Sequence, residues 1–148
     1  MKKTLTLLLF ATAIALTGCD WLKDLGEVDF STDLTANIPV TVSSGNKTTL
    51  NYTASVELKL ADNEDVGPYL EKLRKIDLQS VVITITGLVS GQTINTLSLD
   101  VTGVGTLFTQ NNITSANNSF TPQVDAEKLK KAGEKLKTDR KITLTVSG

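Results

Sequence analysis

Residues 51–60 read NYTASVELKL, and apolar side chains occupy every second position of this stretch without exception. The apolar positions are Tyr52, Ala54, Val56, Leu58 and Leu60. Strict alternation is typical of a β-strand with one buried face and one face in water. The stretch therefore predicts a β-sheet protein whose sheet buries one face only.

The same period of two recurs later in the chain. Its apolar positions are Val81, Ile83 and Ile85, then Leu97, Leu99 and Val101, and finally Ile142, Leu144 and Val146. Residues 87–91, GLVSG, separate the first two of these stretches and predict a hairpin loop. Weaker strands are predicted at 34–42, 105–109 and 119–122.

Two segments break the alternation and predict helices near 64–76 and 125–137. In both, apolar residues recur at helical spacing and basic residues follow them. Asp125 is the predicted cap of the second helix, which Gly133 should weaken by up to about 1 kcal/mol relative to alanine. The chain is thus expected to be mainly β, as an antiparallel Ig-like β-sandwich with two short connecting helices. The alternative is an α+β fold, with one antiparallel sheet and both helices on one face.

The amino terminus has the three parts of a secretory signal. Lys2 and Lys3 precede an apolar run at residues 5–16, and small side chains then lead to Cys19. The apolar run is about a dozen residues long, whereas a membrane-spanning helix needs roughly 20. Residues 1–18 are therefore predicted to be a signal peptide.

Leu16, Thr17, Gly18 and Cys19 directly follow the apolar run and resemble the lipobox of bacterial lipoproteins. The resemblance implies cleavage between Gly18 and Cys19 and lipidation of the Cys19 thiol, for example with palmitate. Two or more acyl chains hold a protein stably on a membrane that it does not span. Cys19 is accordingly the predicted lipid anchor.

Nearly the whole chain takes part in a broader resemblance. A lipobox, an acidic linker, the alternating strand, residues 62–87 and a lysine-rich helix before a terminal strand are similar to small uncharacterised β-sandwich lipoproteins of Gram-negative envelopes. The implied organisation is a lipidated amino terminus and acidic tether at 19–32 and a single sandwich domain at 33–148. The implied location is the bacterial cell envelope, anchored to a membrane; the outer membrane is favoured, and the periplasmic or surface face stays open.

Composition excludes several kinds of chemistry. The 148-residue chain has 15 basic and 16 acidic residues, no histidine and one cysteine. Removing residues 1–18 takes away two lysines and no acid, so the mature net charge is −3, which argues against nucleic-acid binding. With Cys19 lipidated, the chain lacks disulfides, thiolate nucleophiles, histidine triads and the common zinc sites. We therefore expect no enzyme, no cofactor and no metal.

Two loops hold candidate ligand groups. Residues 62–65, DNED, could offer oxygen ligands to calcium, but they lack the spacing and the glycine of a calcium loop, and capping a helix start explains them. Residues 109–119, TQNNITSANNS, form a possible loop for sugar hydroxyls, although asparagine also suits tight turns. The candidate ligand residues of this loop are Asn111, Asn112, Asn117 and Asn118.

The last predicted helix and the strand after it are rich in basic residues. These are Lys128, Lys130, Lys131, Lys135, Lys137, Arg140 and Lys141. They could touch anionic lipid headgroups or form an ordinary solvated face. The preferred function is a non-catalytic envelope lipoprotein with a structural or protein-interaction role; the alternative is a glycan- or lipid-binding module. The expected partners are the membrane, through the anchor, and an envelope protein or glycan.

Overall fold

A computed structural model of the chain describes residues 31–41 and 51–148. In chain order, its elements are strand β1 (Thr53–Lys59), two 3₁₀ helices (Leu60–Asp62 and Gly67–Lys72), β2 (Ile83–Thr84), β3 (Thr93–Val101), β4 (Gly105–Thr114), β5 (Ser119–Phe120), helix α1 (Ala126–Asp139) and β6 (Lys141–Ser147). The predicted signal peptide, including Gly18, and the lipidation site Cys19 lie outside the described residues.

The strands form two antiparallel sheets. The larger sheet has the order β1–β6–β3–β4, so that β6, the last strand in sequence, lies between β1 and β3. The smaller sheet is the short pair β2–β5. The prediction of a mainly β chain with antiparallel sheets is therefore confirmed.

The larger sheet has the apolar and polar faces that residues 51–60 predict. On one face Leu58 lies opposite Ile142 and Val56 lies opposite Leu144. On the other face hydroxyl groups meet across the strands, and the Ser55 and Thr145 oxygens are 2.8 Å apart. Because side chains alternate along each strand, one face is left to water while the other joins the core.

The core lies against the apolar face of the sheet. Helix α1 packs on β6 and β4, and Leu136 of α1 is fully buried. The rings of Phe108 in β4 and Phe120 in β5 meet edge to face at 6.3 Å. Besides α1, the described elements that face this sheet include the β2–β5 pair, with two residues in each strand, and two 3₁₀ helices. They thus form a β-rich fold around an open sheet and do not establish the second full sheet of an Ig-like sandwich.

The helix predicted near 64–76 is wrong in type. The structure instead has the 3₁₀ helix Gly67–Lys72, and the chain after it is extended. Pro68 lacks an N–H donor and Gly67 disfavours the α-helix. The predicted apolar stripe is still inside, since Val66 is only 4% exposed and Leu70 packs against the core.

The helix predicted near 125–137 is confirmed as α1. Its cap is also the predicted one: Asp125 Oδ1 accepts hydrogen bonds from the N–H groups of Glu127 at 2.9 Å and Lys128 at 3.2 Å. Gly133 has a packing role that propensity alone does not reveal, because a Cβ at this position would overlap the carbonyl oxygen of Ile76. The extended chain after the 3₁₀ helix therefore crosses α1 at its glycine.

The hairpin predicted at residues 87–91 does not form between the flanking strands. β2 and β3 belong to different sheets, since β2 pairs with β5. The pairing extends beyond β2 through Ile85, whose N–H donates to the Asn118 carbonyl at 2.8 Å. These bonds to the distant loop hold the chain after β2 away from β3.

Candidate functional site

A groove of about 420 Å³ lies beside strand β1. One wall is the segment 33–37, the other wall is the end of β1, and the chain after β1 closes one end. The lining residues are Asp33, Leu34, Thr35, Ala36, Asn37, Val56, Glu57, Leu58, Lys59, Asp62, Asn63, Glu64 and Asp65. The volume falls within the range of roughly 300–1,000 Å³ that is usual for ligand sites.

The segment 32–38 alternates in burial, as the strand predicted at 34–42 would, but it forms no regular strand. Leu34 and Ile38 are partly buried and pack against the core. Within the described residues, no backbone hydrogen bond joins this segment to β1, so it is not a fifth strand of the larger sheet. It follows β1 without pairing with it, which leaves the groove between them.

The acidic turn after β1 fixes the start of this segment. The Thr32 hydroxyl donates to the Asp65 carboxylate at 2.6 Å, and the Asn63 amide donates to the Asp33 carbonyl at 3.1 Å. The Asn63 Oδ1 atom also accepts from the backbone N–H groups two and three residues later, at 3.0 and 2.9 Å. Asn63 and Asp65, two of the four residues considered for calcium, therefore hold the start of this segment by hydrogen bonds. Within residues 31–41 and 51–148, no three acidic, histidine or cysteine side chains are placed to hold a metal ion.

Among the described residues, no strand pairs with the outer edge of β1, which faces the groove. Tyr52 exchanges two backbone hydrogen bonds with Gly148, at 2.8 and 3.0 Å, and the Leu60 N–H donates to Arg140. Hydrogen-bonded pairs alternate along an antiparallel ladder, so the even-numbered residues of β1 bond to β6. The N–H and C=O groups of the odd-numbered residues, Glu57 and Lys59 among them, consequently point away from the sheet.

The groove is acidic. It contains five carboxylates and one lysine among its lining residues. Glu57 forms ion pairs with Lys141 at 2.8 Å and Lys59 at 3.4 Å. The hydrogen bond from Lys141 is the main reason that the pKa of Glu57 lies below its usual value. Asp33 and Glu64 form no ion pair with the described residues, and they keep the groove electronegative.

The floor of the groove is apolar, whereas its rim is polar. Leu34 and Ala36, and Val56 and Leu58 across from them, are partly buried and supply apolar surface. Asp33 and Glu57 alternate with these side chains and are exposed or face the polar side of the sheet. The groove thus has an apolar floor between two rows of polar and acidic side chains.

Residues 109–119 are only partly a loop, because β4 continues into them and contains Asn111 and Asn112. Two of the four candidate asparagines, Asn117 and Asn118, bond to backbone groups through their side-chain amides. Asn117 Oδ1 accepts from the Thr114 N–H at 2.6 Å, and its Nδ2 donates to the Asn112 carbonyl at 3.3 Å. Asn118 Nδ2 donates to the Ile85 carbonyl at 2.8 Å. Asn111 is exposed, and its side chain has no hydrogen bond to the described residues. This leaves Asn111 and Asn112, which has a left-handed backbone with φ 56°, as the two candidates on β4 whose side-chain amides bond to no described residue.

The basic helix α1 is partly engaged in contacts of its own. Lys128 Nζ donates to the Thr106 carbonyl at 2.6 Å, and Lys135 pairs with Asp139 at 2.7 Å. Lys141 lies on β6 and pairs with Glu57, as described above. The exposed basic residues Lys130 and Lys131 share the helix with exposed acids, so the structure does not gather the basic residues into a single free patch.

Sequence reasoning missed the groove itself. Residues 20–65 hold nine acids against three bases, which signals an acidic region. Asp33 and Asp65 are far apart in sequence, however, and only the fold brings both to the end of β1. Among the described residues, no helix has the length and hydropathy to cross a bilayer.

Comparison of the chain with protein-family models, with curated proteins and with solved structures found no match. Its function is therefore inferred from its own residues.

Proposed function

We propose that the protein is a membrane-anchored lipoprotein of the bacterial cell envelope with a non-catalytic, protein-interaction role. The anchor is supported by the sequence Leu16 to Cys19, which directly follows the apolar run of a secretory signal. Lipidation of Cys19 would hold the domain at a membrane, the outer membrane being the favoured one, without a spanning helix.

The interaction role is supported above all by the open edge of β1 beside an acidic groove. Exposed strand edges are templates for pairing with another chain, and folded proteins usually cover them or block them. Within the described residues, the segment 33–37 makes no backbone hydrogen bond to this edge. The non-catalytic part of the proposal rests on composition, because the chain has no histidine and its one cysteine would carry lipid.

The Ig-like sandwich remains part of this proposal. It is supported by the single apolar face of the larger sheet and by the β2–β5 pair, whose Phe120 reaches the ring of Phe108 in the larger sheet. In this proposal the β2–β5 pair belongs to the second sheet of the sandwich.

A glycan-binding role is the second candidate. It is favoured by the exposed side chain of Asn111 on β4, the strand at the edge of the larger sheet opposite the groove. A lipid is a poorer ligand for this groove, because burying acidic side chains against acyl chains costs free energy.

Replacement of the anchor cysteine tests the proposal. We expect the Cys19→Ser variant to move from the membrane fraction to the soluble fraction and to lose labelling with radioactive palmitate. Its circular dichroism spectrum should stay that of the wild type, because Cys19 precedes the folded domain.

A matched control is Thr17→Ser, which keeps a small side chain near the cleavage site and should remain labelled and membrane-bound. Wild-type protein that takes up no palmitate, or a Cys19→Ser variant that stays in the membrane fraction, would contradict the anchor. Binding to a glycan array by the wild type, lost in Asn111→Ala, would instead favour the second candidate.

A further inference from the structure

The groove between β1 and the segment 33–37 resembles the space that one further strand would fill at the edge of the larger sheet. One wall is the strand β1, and the side chains of both walls alternate between an apolar floor and a polar rim. The two walls do not bond to each other through their backbones within the described residues. The lining part of β1 runs from Val56 to Lys59, about 14 Å at roughly 3.4 Å per residue. An extended segment of four or five residues would match that length.

The backbone of β1 supplies the bonding groups that such a segment needs. The outward N–H groups of Ser55, Glu57 and Lys59 and the outward C=O groups of Ser55 and Glu57 alternate at the spacing of a strand ladder. The Lys59 C=O begins the 3₁₀ helix Leu60–Asp62 instead. Peptides that add a strand to a sheet edge gain affinity from main-chain hydrogen bonds and specificity from alternate side chains. The groove is therefore expected to select a peptide by its extended backbone and by the alternation of its side chains.

The charge of the groove determines which side chains are favourable in a bound segment. Four of its five carboxylates, at positions 33, 62, 64 and 65, have no ion pair with the described residues, while Lys59 is the one basic lining residue. The apolar floor beneath them would face every second side chain of a bound strand. A complementary segment thus alternates basic with small apolar residues.

We propose that this groove binds a basic, alternating segment of a partner protein as an added β-strand along the outer edge of β1. The proposal rests on the proposed interaction role and names the chemistry of the partner. The lysine or arginine side chains of the segment face the acidic rim, and its small apolar side chains face Leu34 and Val56.

Binding of model peptides to the full-length lipoprotein in detergent tests the proposal. The probe is a short fluorescent peptide of alternating lysine and valine, followed by anisotropy. We expect it to bind more tightly than a peptide of alternating glutamate and valine. We also expect it to bind more tightly than a peptide of the same composition with its lysines in one block, and its affinity should fall as salt is added. Equal binding of the blocked peptide would overturn the proposal, since it would indicate unspecific charge attraction.

Charge variants locate the binding. Asp33→Asn and Glu64→Gln should each weaken the alternating peptide by up to about fivefold, as expected for exposed ion pairs. Glu134→Gln, which removes the same charge from an exposed position on α1, is the matched control and should leave the affinity unchanged. Equal affinities of the groove variants and the control would place the peptide elsewhere and refute the assignment.

Amide hydrogen exchange distinguishes strand addition from other modes. When the peptide binds, the N–H groups of Ser55, Glu57 and Lys59 should exchange more slowly, because they gain acceptors. Val56 and Leu58 already bond to β6 and should change little. Unchanged exchange at the odd-numbered residues of a saturated complex would exclude an added strand.

Failure of this inference can be separated from failure of the proposed function. Palmitate labelling and membrane fractionation report on the anchor alone. A normally anchored protein that binds none of the peptides would overturn the groove assignment only. Loss of the anchor result would overturn the envelope lipoprotein and leave peptide binding measurable.

Discussion

At the scale of single residues, one amino-acid type serves unlike purposes in this chain. Asn63 holds the acidic turn and the start of the segment 32–38. Asn118 bonds to both backbone groups of Ile85, whereas Asn111 lies exposed. Sequence reasoning could identify the loop as rich in amides, but it could not separate these uses. The difference depends on which distant backbone lies within reach of each side chain.

Asn118→Ala should destabilise the protein by about 1 kcal/mol, because the Ile85 carbonyl loses its side-chain donor. The measurement is the free energy of unfolding from urea titration followed by circular dichroism. Asn111→Ala is the control and should stay within about 0.5 kcal/mol of the wild type. A larger loss for Asn111→Ala than for Asn118→Ala would show that the loop bonds have been assigned wrongly.

At the scale of elements, the sequence correctly predicted features that depend on residues close together in the chain. Alternation in residues 51–60 and the Asp125 cap of α1 depend on near neighbours, and both appear in the structure. The prediction of a helix near 64–76 rested on apolar spacing and took no account of Pro68, which lacks the N–H that an α-helix begun at residue 64 would need there. The groove was out of reach, since it needs segment 33–37 and β1 side by side without hydrogen bonds between them.

Gly133→Ala tests the packing of α1 against the chain that crosses it. Alanine favours the helix by up to about 1 kcal/mol, but its Cβ would overlap the Ile76 carbonyl. We expect a net loss of roughly 1–2 kcal/mol in the free energy of unfolding, because overpacked sites cost about 1–3 kcal/mol. The measurement is chemical denaturation.

Glu134→Ala, at the next and exposed position of α1, is the control for helix propensity and should change stability by less than about 0.5 kcal/mol. If Gly133→Ala were more stable than the wild type, the crossing at Ile76 would be too loose to constrain the helix.

At the scale of the whole molecule, one core joins elements that are distant in sequence. Leu60, Val101, Ile113 and Leu136 are its most deeply buried large side chains, and they come from the chain after β1, from β3, from β4 and from α1. Such a core makes the domain unfold as a unit. Periodicity identified Leu60, Val101 and Leu136 but missed Ile113, which lies in the stretch 109–119 that was predicted to be a loop. The order of the strands could not be predicted, because pairing partners lie far apart in the chain.

Leu136→Ala should cost about 2–5 kcal/mol, the usual range for a buried leucine. Val89→Ala, at a side chain that is 60% exposed, is the control and should cost less than about 0.5 kcal/mol. Urea unfolding followed by circular dichroism and by size-exclusion chromatography should give coincident transitions for each protein. Separate transitions would mean that the core is divided.

The position of β6 between β1 and β3 has a consequence for the order in which the sheet can be assembled. While the chain emerges from the ribosome, β3 and β4 can pair as neighbours in sequence. β1 emerges earlier, but its partner β6 follows both β3 and β4 in the chain. The four-stranded sheet therefore closes only after residue 147 has emerged, when one strand joins both halves at once. Until then β1 has no partner among the described strands of this sheet.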